Sequence, residues 1–302
     1  MITGRIVGIK RFEIHDGDGI RTTLFLKGCP LKCIWCHNPE SISYRPQVAY
    51  NEARCIGCGA CASLCTVHSL SGDKHFYDRS KCTGCGRCEE ACLGEALTFY
   101  GKDITVQDAL TLLTEDRIFY ISSGGGVTLS GGEPLLQADF CRELLRLLQT
   151  AGIHTAIDTC GFATRAQIDK VIDITDLFLY DIKFIDVNKH IQYTGKPNEV
   201  ILNNLTYIIG RGKRVEIRIP LIPTINDDQI DPIGGFLAAL GFTGKVKLLP
   251  YHDFAASKYE ALEMENTLPA VRTPDNGQIA DAVARLKLYG LQAVSGSERD
   301  EQ

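Results

Sequence analysis

Apolar residues along the chain fall in short runs bounded by Gly, Pro or Asp, and stretches with helical spacing lie between them. The runs 21–27 (RTTLFLK), 126–130 (GVTLS), 154–158 (HTAID), 177–182 (LFLYDI), 214–219 (RVEIRI) and 245–250 (KVKLLP) read as buried parallel strands. Between them, 137–150 (QADFCRELLRLLQT) puts Leu144, Leu145 and Leu148 on one helical face, and 165–174 and 276–289 are helical in the same way. Alternating strand and helix predicts an α/β fold, a parallel sheet with helices outside it. Six such units suit a partial (β/α)6 TIM-like barrel, although a doubly wound open sheet has the same periodicity. Residues 46–103 interrupt the alternation, which predicts a barrel of 1–45 and 104–302 carrying an inserted domain.

Polar residues gather at the C-terminal ends of these strands, where barrels of this kind carry their chemistry. Cys29 follows the first strand, and Gly131, Gly132 and Glu133 follow the second. Asp158 closes the third, Asp181 and Lys183 the fourth and Arg218 the fifth, and His252 follows the sixth. Singly, each has a plain explanation. Asp181 and Lys183 suit a solvated strand end, His252 a loop, and Gly124–Gly126 a turn with no P-loop lysine after it. Their joint placement at one edge argues for a site.

Cysteine changes the picture most. Of 13 cysteines, eleven lie between Cys29 and Cys92 in groups of fixed spacing, which suits thiolate ligation of metal in a reducing, oxygen-poor compartment better than disulfides. Cys55-x2-Cys58-x2-Cys61-x3-Cys65 and Cys82-x2-Cys85-x2-Cys88-x3-Cys92 have the spacing of two-cluster ferredoxins, in which the fourth cysteine of each run ligates the other cluster. That assigns Cys55, Cys58, Cys61 and Cys92 to one 4Fe–4S cluster, and Cys82, Cys85, Cys88 and Cys65 to a second. Paired zinc sites are the alternative, but zinc usually takes two CxxC pairs rather than this spacing. Thr66 and Leu93 stand where a proline usually follows the last cysteine.

The loop 28–38 (GCPLKCIWCHN) carries Cys29-x3-Cys33-x2-Cys36. Three thiolates on one loop can hold three irons of a third 4Fe–4S cluster and leave the fourth iron open for catalysis. The alternative is closure by a remote cysteine, for which Cys141 and Cys160 are the spares. Cys141 sits in an amphipathic helix and reads as a core thiol.

The net charge of -5 and the lack of a basic run speak against a nucleic-acid partner. The N-terminus shows no secretory signal, and no stretch approaches the roughly 18 apolar residues of a membrane span, so a cytoplasmic location is expected.

The CxxxCxxC loop is the signature of radical S-adenosylmethionine (SAM) enzymes. Together with Asp16–Arg21 (DGDGIR) and CPLKCIWCHNPE, the sequence resembles the glycyl-radical-enzyme activating enzymes, the pyruvate formate-lyase activating enzyme group. The likeness continues through 124–134 (GGGVTLSGGEP), 158–161 (DTCG), 181–183 (DIK) and 249–252 (LPYH), so it spans nearly the whole chain outside the insert. It implies that SAM chelates the open iron at Cys29, Cys33 and Cys36, with Trp35 and His37 beside the adenine. Gly131 and Gly132 would admit the methionyl amino group. In the Asp181-Ile182-Lys183 segment, Asp181 would bind the ribose and Lys183 the SAM carboxylate, and Arg218 and His252 would complete the pocket. Asp158 and Thr159 match a monovalent cation site, although Cys160 replaces the family's asparagine. The resemblance further implies a glycyl radical enzyme as protein substrate and a ferredoxin or flavodoxin as electron donor. A radical SAM enzyme acting on a small molecule or peptide is one rival, and a plain electron-transfer protein is another. The first leaves the DGDGIR and LPYH segments unexplained, and the second leaves the barrel motifs without a role.

Overall fold

The six apolar runs form strands where the pattern puts them. The computed structural model describes residues 2–72 and 74–296. In chain order its strands are β1 (Thr3–Glu13), β2 (Arg21–Leu26), β3 (Gln47–Tyr50), β4 (His68–Ser71), β5 (Lys74–Tyr77), β6 (Leu97–Tyr100), β7 (Lys102–Thr105), β8 (Gly126–Gly131), β9 (His154–Thr159), β10 (Leu177–Asp181), β11 (Val215–Leu221), β12 (Lys245–Pro250) and β13 (Gln292–Ser295). Nine of them form one sheet in the order β13-β12-β11-β10-β9-β8-β2-β1-β7. β2 and β8 to β13 are mutually parallel, and β1 runs antiparallel to both β2 and β7.

Seven parallel strands therefore stand where six were expected, because β13 extends the sheet beyond β12. The order advances in one direction without the reversal that a doubly wound sheet needs. Among the described residues β13 and β7 stand at the two ends of the order without a ladder between them, so the sheet is open there.

Strand alternation sorts the side chains. Val127, Leu129, Ile157, Phe178, Tyr180, Ile217, Ile219, Val246 and Leu248 join the main core. The helices Ala138–Thr150, Glu199–Gly210, Ile230–Ala239 and Asn276–Leu288 cover that face with Leu144, Leu145, Leu205, Ile208, Ile233, Leu237 and Leu286. The other face carries Arg21, Thr23, Thr128, Ser130, Glu216, Arg218 and Lys247, all buried, with Ala156, Leu177 and Leu179 as an apolar patch. The 14–20 loop lies over this polar face: Asp16 accepts from Thr23 Oγ1 at 2.8 Å, and its carbonyl accepts from Thr128 Oγ1 at 2.7 Å.

The expected helix 165–174 is shorter than its pattern. A capping box of Thr164 and Gln167 starts Arg165–Asp169, and a separate 3-10 turn, Ile172–Ile174, follows. Leaving the helix there buries both Val171 and Ile172.

The insert is tied at its base by the antiparallel pair β3–β6, from Gln47↔Tyr100 to Tyr50↔Leu97. Lys102 and Asp103, expected inside the insert, belong instead to β7 of the large sheet, where Asp103 pairs with Arg5 at 2.8 Å. Within the insert the two cysteine runs are internal repeats. Asn51 and Asp78 cap the 3-10 turns Glu52–Arg54 and Arg79–Lys81, which lead into Cys55 and Cys82. Gly59 and Gly86 then start short helices at φ 73° and 77°, a backbone that glycine adopts without strain.

Candidate functional site

The loop after β2 is held from both sides. Gly28 N–H donates to Ser41 O and Cys29 N–H to Ile42 O, while Lys32 and Ile34 N–H donate to Thr194 and Tyr193 O. Cys36 N–H closes onto Cys33 O at 3.0 Å, which turns the chain so that Cys29, Cys33 and Cys36 come together. Burial pushes the Cys33 thiol up, and Cys36 up to about 12, while a hydrogen bond with Cys160 draws Cys29 down. Three such sulfurs beside a lysine, with few donors of their own, form a donor set for soft, positively charged iron. They fit a 4Fe–4S cluster.

Asp181 and Lys183 stand beside them, paired at 2.7 Å. Burial works against the Lys183 charge, but Asp181, Cys33 and Cys160 outweigh it and hold the pKa above the ordinary lysine value. Ile182 between them turns the other way: its side chain is in the main core and its N–H donates to Arg218 O. The Ile182 side chain therefore does not face the site.

Gly131 and Gly132 are required by packing as much as by any ligand. A Cβ on Gly131, which has φ +113°, would lie 2.3 Å from Leu26 O, and one on Gly132 would lie 2.1 Å from Gly28 O. These glycines let the end of β8 press against the cysteine loop.

Trp35 packs on Phe184 with ring centroids 5.9 Å apart, in a second apolar cluster with Ile222, Ile225 and Tyr251. His37 stacks on His252 at 4.1 Å, and burial brings His37 down to about 4, so it is neutral. Trp35, Cys36, His37, Tyr251 and Tyr259 line one groove. Lys258, which the sequence did not single out, clamps this edge through Glu40 at 2.7 Å and the His37 carbonyl at 3.0 Å.

Arg218 is engaged below the pocket rather than at its rim. It lies 3.3 Å from both Asp158 and Asp16. Burial raises Asp158 to about 6 against the pull of Arg218. The expected cation pair is not brought together. Asp158 faces Arg218 and Ser130, whereas Thr159, the next residue on the strand, points to the opposite face and gives its hydroxyl to Glu133 at 2.8 Å.

Glu133, noted in the sequence only for its position, is 1% exposed and also accepts from Cys160 N at 2.8 Å and Leu135 N at 3.0 Å. It ties the 131–134 turn to the end of β9. Cys160 lies between Glu133 and Cys29, while Cys141 is a buried thiol in its helix.

In the insert, Cys55, Cys58, Cys61 and Cys92 line a single, largely apolar cavity together with Tyr50, Leu70 and His75. In the second group, Cys88 lies beside Cys82 and Cys85, and the Arg87 guanidinium interacts with both Cys85 and Cys65. The Cys82–Cys88 loop is the one at the base of the insert: a Cβ on Gly84 would meet Pro46, just before β3, at 2.8 Å. Arg79 links the same loop to Ala261 O at 2.7 Å.

The pattern of the Radical SAM superfamily matches residues 23–237. Trans-4-hydroxy-L-proline dehydratase activating enzyme of Clostridioides difficile is 47% identical over 264 residues, 85% of this chain and 87% of that protein. Choline trimethylamine-lyase activating enzyme of Oleidesulfovibrio alaskensis is 43% identical over 272 residues, covering 86% of this chain and 87% of its own. A crystal structure of a domain of pyruvate-formate lyase-activating enzyme from Bacteroides vulgatus superposes with a TM-score of 0.50 at 34% identity, over 58% of this chain and 100% of that domain. The chain belongs to the radical SAM superfamily and, within it, to the glycyl-radical-enzyme activating enzymes.

Proposed function

We propose that this chain splits SAM above Cys29, Cys33 and Cys36 and removes a hydrogen atom from one glycine Cα of a partner glycyl radical enzyme. The observation that carries the reading is the buried meeting of these three sulfurs with the Lys183–Asp181 pair beside them. Cys29, Cys33 and Cys36 would hold a 4Fe–4S cluster, which would supply the single electron for reductive cleavage of SAM to methionine and a 5′-deoxyadenosyl radical.

The chain's own residues position the cofactor and exclude solvent. Lys183 holds the SAM carboxylate through a charge-assisted hydrogen bond, and Asp181 binds the ribose hydroxyls while keeping Lys183 in place. His37 and His252, stacked on one another, form a flat wall for the adenine, with Trp35 buried nearby. Gly131 and Gly132 keep β8 close to the cysteine loop. Arg218 holds Asp158 and Asp16 together beneath the pocket.

The insert is a ferredoxin-like module with two further 4Fe–4S clusters. Its repeated capped turns and the single cavity shared by Cys55, Cys58, Cys61 and Cys92 support the crossed assignment. The group held by Cys55, Cys58, Cys61 and Cys92 would be the outer one and would accept electrons from a ferredoxin or flavodoxin. The group held by Cys82, Cys85, Cys88 and Cys65, whose loop rests on Pro46 at the base of the insert, would relay them toward Cys29–Cys36. The client is one glycyl radical enzyme of a wider class, since the relatives' names join this activity to a dehydratase in one case and a lyase in another. Iron-loaded protein incubated anaerobically with SAM, reductant and each of a panel of glycyl radical enzymes is expected to raise a glycyl radical EPR doublet on one of them. SAM cleavage with no doublet on any member would favour a small-molecule substrate.

A further inference from the structure

Two buried histidines face the outer cluster of the insert, and no ligation pattern uses them. His68 on β4 is 3% exposed and His75 on β5 is 8% exposed. His68 Nδ1 and His75 Nε2 share a hydrogen bond of 3.1 Å. The other nitrogen of His75, Nδ1, is buried with no partner among the described residues. His75 lines the cavity of Cys55, Cys58, Cys61 and Cys92, and Cys61 Sγ lies within 4.8 Å of a ring nitrogen of each histidine.

Hydrogen-bond accounting sets the tautomer. The contact between His68 Nδ1 and His75 Nε2 needs one N–H and one lone pair, so one ring donates and the other accepts. If His75 Nε2 donated to His68, a bare Nδ1 lone pair would be left buried beside cysteine sulfur, the unfavourable case. If His68 Nδ1–H donates instead, the His75 proton sits on Nδ1, the buried nitrogen with no protein acceptor among the described residues, on a residue that lines the cysteine cavity. His68 is then the positioning residue and His75 the donor. Tyr50 packs on the His75 ring at 4.4 Å and Tyr77 on His68 at 4.7 Å, which restrains both planes.

We propose that His75 Nδ1–H donates a hydrogen bond to a sulfur of the cluster carried by Cys55, Cys58, Cys61 and Cys92, and so raises that cluster's reduction potential. An N–H dipole aimed at sulfur favours the more negative, reduced state. The internal repeat supplies the contrast. Leu70↔His75 in the β4–β5 ladder corresponds to Phe99↔Val48 in the β3–β6 ladder, so the second cluster has Val48 where the first has His75. Val48 is 1% exposed and has no donor to offer. This inference rests on the three-cluster reading given under Proposed function.

The test is EPR-monitored redox titration of the full-length, anaerobically reconstituted protein. His75→Val copies the residue already accommodated in the other half. It is expected to lower the midpoint of one insert cluster by about 59 mV or more, a tenfold change in a one-electron reduction equilibrium, leaving the other clusters in place. His68→Leu should move the same cluster in the same direction by less. Unchanged insert potentials in His75→Val with full iron content would overturn the proposal. Should His75→Val lose its cluster, pulsed EPR of the unsubstituted protein with 15N-histidine decides. A weak nitrogen coupling on one insert cluster supports the donor role, and either no coupling or the strong coupling of a direct ligand overturns it. A wild-type content of about four irons per chain, not about twelve, would refute the three-cluster reading itself and the proposal with it.

Discussion

Lys183 Nζ lies 2.7 Å from Asp181 Oδ2 in a pair whose lysine side chain is only 9% exposed. Alternation would put Asp181 and Lys183 on one face, yet the lysine sits past the end of β10, free to lean toward Cys33 while its partner stays on the strand. Replacing Lys183 by Gln keeps a donor but removes the charge. SAM binding to the iron-loaded protein is expected to weaken about 10- to 100-fold, the range of a lost charge-assisted hydrogen bond. Isothermal titration or equilibrium dialysis measures it, and unchanged affinity would remove Lys183 from the cofactor site.

Gly132→Ala should disable the site by geometry alone. The new Cβ would press on the backbone oxygen of Gly28, which has no side-chain freedom to yield, and on Ser41 O at 2.8 Å. The expected cost is at least about 1–3 kcal/mol, with loss of the Cys29–Cys36 cluster signal. Gly8→Ala is the matched control, because a Cβ there meets nothing within 4 Å. Denaturation midpoints and iron content of the two variants, compared side by side, check the contrast.

The sequence made the strands and cysteine ligand groups legible because each depends on local spacing. Runs such as LFLYDI are apolar on both faces, and the CxxC spacings are set by the reach of one short loop. What escaped depends on partners far along the chain. β1 (TGRIVGIKRFE) mixes charged with apolar residues and extends the edge of the sheet, and its partner β7 straddles the insert's expected end at 103. The helix Ile230–Ala239 carries Pro232 in its first turn and two glycines, which weakens any helical reading. Gly234 is there because the Tyr289 ring lies against it. The separation of Asp158 from Thr159, the role of Glu133, and the approach of Cys160 to Cys29 follow from which face each side chain occupies after folding.

Lys27 gives a pH dependence with a defined sign. It is fully buried, donates to Glu40 O and Gln47 Oε1, and burial lowers its pKa from 10.5 to about 8. Between those values the unfolded chain keeps a proton that the folded chain has released, so stability rises with pH across that window. Below about pH 8 the burial penalty is fully present. The wild-type minus Lys27→Met difference in unfolding free energy should therefore grow in favour of wild type from about pH 8 to pH 10, by on the order of 1–3 kcal/mol. A flat difference would show that Lys27 is not charged and buried as described.

Cys160 separates an open iron from a closed one. Its thiol approaches Cys29 and Glu133, so it can tune the Cys29 sulfur without ligating iron. Cys160→Ala is expected to keep the Cys29–Cys36 cluster and SAM binding, with at most a several-fold loss in rate. Loss of that cluster as complete as in Cys29→Ala would make Cys160 a fourth ligand and leave no iron corner for SAM.

The most direct test of the whole account is the release of 5′-deoxyadenosine by the anaerobically reconstituted protein given SAM and dithionite. The account predicts steady formation by wild type and its loss in Cys36→Ala, with the insert's iron retained. No 5′-deoxyadenosine from wild type, or undiminished formation by Cys36→Ala, would contradict the assignment of Cys29, Cys33 and Cys36 as the radical-generating site.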